Sequence, residues 1–168
     1  MKRYILNVPE PSPAEQERFM RLALEQAALA AEKEEIPVGA VIVRKGEVVS
    51  LAHNLRESQK NALGHAETLA IDAACRKLGG WRLWECDLYV TMEPCVMCAG
   101  AIVNARIRKV FFGAADPKAG AFGGKFDLNQ MGLCHRPPVQ GGLLAGEAQA
   151  LLDSFFSTLR QKRQENKE

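Results

Sequence analysis

One histidine and a pair of cysteines are candidate metal ligands in this sequence. His65 lies two residues before Glu67, and Cys95 and Cys98 form a Cys-x-x-Cys pair further along the chain. Two thiolates and one neutral imidazole form a ligand set that suits Zn²⁺. Three protein ligands leave the fourth tetrahedral position to water, so the set is typical of a catalytic zinc site.

Two other interpretations of these residues stay open. A structural zinc site would need a fourth protein ligand, and candidates exist in Cys86, Cys134, His53 and His135. The Cys-x-x-Cys pair could also belong to a redox site. The redox interpretation gives no task to the histidine or to Glu67.

Glu67 could turn a metal site into a reaction centre. A carboxylate beside zinc-bound water can take its proton and pass it to a substrate nitrogen. It could equally be an ordinary charged residue at a helix start. Residues two apart on a regular helix point to different sides, so spacing alone does not bring His65 and Glu67 together.

Two predicted helices position these groups. The segment from Leu63 to Leu78 predicts a helix that begins near His65 and stops at Gly79-Gly80. Pro94 is expected to open another helix that runs through Ala105. All three ligands then lie at helix amino termini, where the positive end of the helix dipole favours thiolates.

The remaining elements predict one α/β domain with three layers and a mixed central sheet of about five strands. The Ser12-Pro13-Ala14-Glu15 segment is a capping box that starts a helix to about Glu34. Strand, helix and strand in succession imply parallel pairing. The predicted strands are Val38 to Val43, Glu47 to Ala52, Asp87 to Met92, Lys109 to Phe112 and a short one around Val139, and a last helix runs from about Leu144 to Arg163.

Composition limits the protein class but not the substrate. The 168 residues are 47% hydrophobic and 25% charged, which fits a single domain over 1–168 with disordered tails at about 1–10 and 164–168. No apolar run is long enough for a signal peptide or a membrane span, so we expect a soluble, cytoplasmic protein with no membrane partner. A net charge of +2 is too small to argue for a nucleic-acid partner.

The segments around the candidate ligands resemble a known family. His65-Ala66-Glu67 and the run from Tyr89 to Ala101, which contains Pro94-Cys95-Val96-Met97-Cys98, look like the zinc signature of the cytidine-deaminase superfamily. Flanking segments are similar to bacterial tRNA-specific adenosine deaminases, namely 36–41, Asn54, 112–120 and 151–156. The resemblance implies a cytidine-deaminase-like fold and conversion of adenosine to inosine at the wobble position of a tRNA anticodon loop.

The resemblance also implies roles for the site residues. His65, Cys95 and Cys98 would bind one zinc ion per subunit. Glu67 would deprotonate the zinc's water, protonate the purine ring and assist ammonia release, while hydroxide attacks adenine C6.

Four further residues are candidates for substrate binding. Asn54 would hydrogen-bond the purine edge, although it could also be a turn-forming asparagine. Asp116 and Lys118 lie on a glycine-rich loop that the family places beside the substrate strand. Phe155 and Phe156 diverge on a helix, so that one could pack in the core and the other stack on an extruded base, and Phe156 is our candidate for the base contact.

The resemblance implies two partners and leaves rivals. The partners are a tRNA, with the anticodon loop of an arginine tRNA expected, and a second copy of the chain in a homodimer. Ala115 and Gly64 depart from the family pattern, and Ala115 could weaken a phosphate contact. Cations near the carboxy terminus, Arg160, Lys162, Arg163 and Lys167, could contact RNA phosphates or complement the helix dipole. The rivals are a guanine, cytosine or nucleotide deaminase with the same zinc mechanism, and a nucleic-acid-binding module with structural zinc.

Overall fold

A computed structural model describes residues 8–165, in which four α-helices pack on a five-stranded sheet. The elements are α1 Pro13–Glu32, β1 Gly39–Arg44, β2 Glu47–His53, α2 Ala66–Leu78, β3 Cys86–Met92, α3 Val96–Ala105, β4 Lys109–Ala114, a 3-10 turn Leu128–Gln130, β5 Val139–Gln140 and α4 Ala145–Glu165. Each predicted helix and strand is present, with ends shifted by one or two residues.

The sheet is mixed, as the sequence predicts. Its strand order is β2-β1-β3-β4-β5. β1 pairs antiparallel with both β2 and β3, whereas β3 and β4 are parallel, and β5 extends the parallel part. The α3 crossover between β3 and β4 therefore brings the carboxyl end of β3 and the start of α3 to one edge of the sheet.

Two separate hydrophobic clusters define the three layers. Alternate residues of the central strands point to opposite faces. Ile42, Leu88 and Val110 pack against α2 and α3, whereas Val43, Tyr89 and Phe111 pack against α1 and α4. The predicted three-layer α/β architecture is confirmed.

Local sequence signals explain several element ends. Ser12 caps α1 in a capping box with Glu15. Lys45 and Gly46 both have positive φ in the turn between β1 and β2, which is the geometry of a tight antiparallel hairpin. Gly79 ends α2 in the left-handed conformation.

One helix starts later than the sequence suggests. Pro94 does not open α3, because Cys95 is the N-cap and the first helical residue is Val96. Cys95 has an extended backbone and pairs with Gly120 in an isolated antiparallel bridge. This pairing holds the cysteine outside the helix, where its sulfur is at the helix amino terminus.

The predicted disordered tails lie partly outside the described residues. Of the predicted disordered tails, residues 1–7 and 166–168 lie outside the described part. Next to them, Glu10 forms ion pairs with Arg108 and Lys109, and α4 continues to Glu165. Between residues 8 and 165, none of the helices has the length and apolar character needed to cross a membrane.

Candidate active site

The three predicted metal ligands lie at the amino termini of α2 and α3. His65 is the N-cap of α2 and Cys95 is the N-cap of α3, while Cys98 lies in the first turn of α3. Neither N-cap side chain makes a capping hydrogen bond. The side chains are thus available to a ligand, next to the positive ends of two helix dipoles.

The spacing of the ligand atoms fits a tetrahedral zinc ion. His65 Nδ1 lies 3.7 Å from Cys95 Sγ and 3.5 Å from Cys98 Sγ, and the three ligand atoms all lie within 4.8 Å of one another. Zn–S bonds of about 2.3 Å and Zn–N bonds of about 2.0–2.1 Å at a tetrahedral angle separate nitrogen from sulfur by about 3.6 Å. The donor set and its geometry therefore fit zinc, with a fourth position left over.

The two cysteines share one negative charge when no cation is present. The hydrogen bond from Cys98 lowers the pKa of Cys95 to about 4, whereas the neighbouring Cys95 thiolate and burial raise the pKa of Cys98. A cation is what makes both thiolates stable at this separation. Such a pair is typical of a metal site.

Candidates for a fourth protein ligand are engaged elsewhere. His53 contacts Gln26 and Lys33, and His135 contacts the backbone of Ile107. Cys86 lies at the opposite end of β3 from the site, and Cys134 is exposed and outside the ligand cluster. Within residues 8–165, the ligand cluster at this place consists of the histidine and the two cysteines, which favours a catalytic over a structural zinc.

Glu67 lies in the same cavity as the ligands. It is in the first turn of α2 with 4% of its surface exposed. Burial raises the pKa of Glu67 to about 7, and the charge of Cys95 acts in the same direction. The carboxyl group is thus placed beside the metal site in an environment where it can both accept and donate a proton.

The site opens into a cavity of about 210 Å³. Its walls include Ile36, Val38, Met92 and Leu152, which are apolar, and its polar lining includes Asn54, Arg56, Glu93 and Asp116. A small apolar cavity with a few polar groups is typical of a site that receives a flat heterocycle.

Predicted substrate residues fall partly in this cavity. Asn54, Asp116 and Phe156 line it. Phe156 is 38% exposed, and its ring and that of Phe155 form a T-shaped pair with centroids 5.4 Å apart. Phe155 is half-buried and belongs to none of the core clusters, so the expectation that it packs in the core was wrong. Lys118 lies on the same loop as Asp116 but is exposed outside the lining, where its backbone N–H donates to Asp116 Oδ1 at 2.9 Å.

Sequence reasoning missed the buried acid behind Asn54. Glu35 is fully buried and accepts hydrogen bonds from the backbone N–H and the hydroxyl of Ser58 at 2.7 and 2.8 Å. It also accepts from the backbone N–H of Glu57 at 3.2 Å and from the Asn54 amide at 3.4 Å. The acid holds the segment that carries Asn54, and the only sequence signal was an acidic residue before an apolar run.

Comparison with known proteins defines the class. A family model for the cytidine and deoxycytidylate deaminase zinc-binding region matches residues 13–114, which is more than half of the chain. The chain therefore belongs to the zinc-dependent cytidine and deoxycytidylate deaminase family.

Individual relatives and solved structures are also similar to this chain. A tRNA-specific adenosine deaminase of Bacillus subtilis (strain 168) is 48% identical over 148 residues, which are 88% of this chain and 92% of the relative. A structure solved in a study of A-to-I editing by deaminases at the wobble position of transfer RNA is 42% identical, with a TM-score of 0.76, and the match covers 80% of this chain and 99% of the other. A guanine deaminase from Bacillus subtilis is 38% identical with a TM-score of 0.58, over 59% of this chain and 64% of the other.

Proposed function

We propose that this protein hydrolyses adenosine to inosine at the wobble position of a tRNA anticodon loop. The observation that carries the proposal is that the cluster of His65, Cys95 and Cys98 meets Glu67 at one cavity, which His65, Cys95 and Glu67 line. The high similarity to a tRNA-specific adenosine deaminase over most of both chains supports adenosine in tRNA as the substrate.

The metal ligands and Glu67 divide the chemistry between them. Zinc held by the three ligands would lower the pKa of the attacking water, so that the water becomes a nucleophile near neutral pH. Glu67 takes a proton from the attacking water at its carboxylate oxygen and delivers it to the adenine ring nitrogen N1. The same carboxyl group then carries the remaining proton of the hydroxyl added at C6 to the amino group, the C6–N bond breaks, and one water is consumed as inosine and ammonia are released.

The rest of the cavity orients the base. Asn54 lies in the lining, where its NH₂ group donates to Glu35 and to the Ile36 carbonyl and its oxygen accepts from the Arg56 N–H. A second lone pair on that oxygen is left to accept a hydrogen bond from a purine edge. Phe156 offers an aromatic surface at the side of the cavity on which a base can stack. These contacts suit a base that has left its stack in a single-stranded loop.

An anticodon loop suits this site for a physical reason. Bases in such a loop are unpaired, so moving one into the cavity costs little beyond its stacking energy. We propose an arginine tRNA with adenosine as the first anticodon base as the substrate, and a cytoplasmic location for the protein. Asp116 and Lys118, on the loop beside the cavity, are proposed to contact the RNA strand.

Cations of α4 are the proposed phosphate contacts. Arg160 and Arg163 are exposed near the end of α4, whereas Lys162 is paired with Glu34. Lys167 lies outside the described residues. The two arginines are thus the candidates to add salt-dependent affinity for RNA.

We also propose a homodimer. The outer groove between α2 and α3 is lined by Ile71, Cys75, Trp81 and Ala101, and the Trp81 side chain is 49% exposed. Val96, at the start of α3, is 48% exposed. An exposed tryptophan just after α2 and an exposed valine at the start of α3 support a contact with a second copy. Sedimentation equilibrium would detect this contact.

A competition experiment tests the proposed substrate. Zinc-loaded protein is offered an unmodified arginine tRNA anticodon stem–loop together with free adenosine, guanine and cytidine, and ammonia and inosine are measured. Inosine in the RNA alone supports the proposal. The partial similarity to a guanine deaminase favours a free purine as the second candidate substrate, and turnover of free guanine or adenosine with inert RNA would establish it.

A further inference from the structure

Glu93 is a buried carboxylate that the proposed chemistry leaves without a task. It lies just beyond the end of β3, two residues before Cys95, and only 3% of its surface is exposed. Its side chain reaches across to the loop that follows β4. There it accepts hydrogen bonds from three backbone N–H groups, those of Asp116, Phe122 and Gly124.

These three hydrogen bonds require that both terminal oxygens of the Glu93 side chain act as acceptors. Glu93 Oε2 accepts from Asp116 at 2.9 Å, and Oε1 accepts from Phe122 at 3.0 Å and Gly124 at 2.8 Å. A carboxylate can accept at both oxygens, whereas a carboxamide has one oxygen and one NH₂ group. Glutamine of the same shape would therefore point an NH₂ group at a backbone N–H.

Two glycines of the loop make room for the carboxylate. A Cβ atom on Gly120 would lie 2.4 Å from Glu93 Cδ, and a Cβ atom on Gly124 would lie 2.5 Å from Glu93 Oε2. Neither glycine has a positive φ. The Asp116 carbonyl oxygen is also close, at 2.6 Å from a Cβ atom on Gly120 and 2.3 Å from one on Gly124. Side chains are thus excluded from these positions by Glu93 together with the Asp116 backbone that it holds, and not by the conformation of the glycines.

The anchored loop forms part of the cavity wall. Asp116 and Ala119 line the cavity, and Lys118 lies between them. The loop also meets the ligand segment directly, because Gly120 pairs with Cys95 and the Ala121 N–H donates to the Pro94 carbonyl at 2.9 Å. The metal-binding segment and this wall of the cavity are therefore joined at one place.

We propose that Glu93 is a positioning residue that holds the loop from Asp116 to Gly124 in the shape that receives the substrate strand. It sets the affinity for RNA and not the bond-breaking step, because its carboxylate is occupied by the three N–H groups, although the residue itself lies in the cavity lining. The inference rests on the proposed function for the identity of the substrate.

Two variants test this inference from opposite sides of the contact. Glu93→Gln keeps the volume and removes one acceptor. Gly124→Ala keeps Glu93 and places a methyl group between it and the Asp116 carbonyl oxygen, so that it disturbs the same anchor from the loop side. Gly146→Ala is the matched control, because its Cβ atom would have no neighbour within 4 Å and its φ is not positive. Each variant is loaded with zinc and its zinc content is measured before use.

The readouts separate positioning from catalysis. In both test variants we expect bound zinc and kcat to stay near wild type, and KM for the anticodon stem–loop to rise by about tenfold, since hydrogen bonds to a charged group are lost. Amide hydrogen exchange at Asp116, Phe122 and Gly124 should accelerate in both. KM of the double variant should rise by less than the product of the two single increases, because both substitutions act on one contact.

The outcomes distinguish this inference from the proposed function. Wild-type protein that leaves the stem–loop unchanged contradicts the proposed function, and exchange measured without RNA then decides whether Glu93 anchors the loop. If the wild type is active and KM is unchanged in both test variants, the inference about Glu93 is overturned and the proposed function is not. Loss of zinc or of kcat in Glu93→Gln, with Gly124→Ala unaffected, also overturns it.

Discussion

His65 and Glu67 line the same cavity although they are two residues apart in sequence. A regular helix would point them to different sides. The chain avoids this because His65 is the extended N-cap of α2, with φ −80° and ψ 151°, and Glu67 lies in the first helical turn. A single helix start thus supplies both a candidate metal ligand and the group to which we assign proton transfer.

Replacing Glu67 by glutamine should abolish turnover and spare the metal. Without a carboxyl group to transfer protons, we expect kcat to fall by about 10²–10⁴-fold. Zinc content should stay near one ion per subunit, because the ligands are other residues. Ammonia release and metal analysis measure the two effects, with the exposed Glu17→Gln as control. A fall of less than about tenfold would assign proton transfer to another group.

Cys95→Ser should lose zinc and stability together. A metal that binds only the folded state stabilises it by about 2.7 kcal/mol when its free concentration is about one hundred times Kd. The variant should therefore unfold at a lower temperature than the zinc-loaded wild type. A chelator should lower the unfolding temperature of the wild type towards that of the variant. Cys134→Ser, at an exposed cysteine outside the cluster, is the control. A chelator without effect on thermal unfolding would argue against the metal site.

Stability should depend on pH through Glu35. Burial raises the pKa of the Glu35 carboxyl, but the hydrogen bonds from Ser58 and Glu57 outweigh it and leave the pKa lowered. A lowered folded-state pKa contributes stability above the unfolded value of about 4.3, and that stability is lost as the pH falls through the folded value. The free energy of unfolding of the wild type should exceed that of Glu35→Gln by roughly 2 kcal/mol near neutral pH, and this difference should shrink in acid.

Urea unfolding at several pH values measures this difference. Glu32→Gln, at the exposed last residue of α1 and three residues before Glu35, controls for the general effect of removing a negative charge. A difference between wild type and Glu35→Gln that grows as the pH falls would show that the carboxyl is protonated in the folded state.

Gly39→Ala should destabilise the fold through a clash of backbones. A Cβ atom at Gly39 would lie 2.0 Å from the Ala23 carbonyl oxygen and 2.6 Å from the Ala27 nitrogen of α1. Overpacking of this kind costs roughly 1–3 kcal/mol. The free energy of unfolding should fall by that amount, whereas Gly80→Ala, which has open space around it, should change little. Equal stabilities would mean that β1 and α1 lie further apart.

The local sequence predicted most of the framework. The Ser12–Glu15 capping box, the glycine turn of the hairpin and the stop at Gly79 are signals within a few residues, and each corresponds to an observed element end. The start of α3 was wrong by two positions because Cys95 is held by Gly120, far along the chain. Such long-range pairing leaves no local pattern.

The residues of the site also fall into those that the sequence predicts and those that it does not. The residue types and spacing were enough to predict the zinc ligands, because the chemistry restricts which side chains can serve. The polar contacts behind the cavity were not predictable. Glu35 meets Asn54, and Glu93 meets Gly124, only after the sheet brings distant segments together. Buried acids of this kind have the same local appearance as surface ones.

The most direct test is to locate the product base. Unmodified full-length arginine tRNA with an adenosine-first anticodon is incubated with zinc-loaded wild type or Glu67→Gln, and every inosine is mapped by reverse transcription and sequencing. The account predicts inosine at the first anticodon position only, with wild type only. Inosine spread over other adenosines, or none at all in the presence of bound zinc, would contradict it.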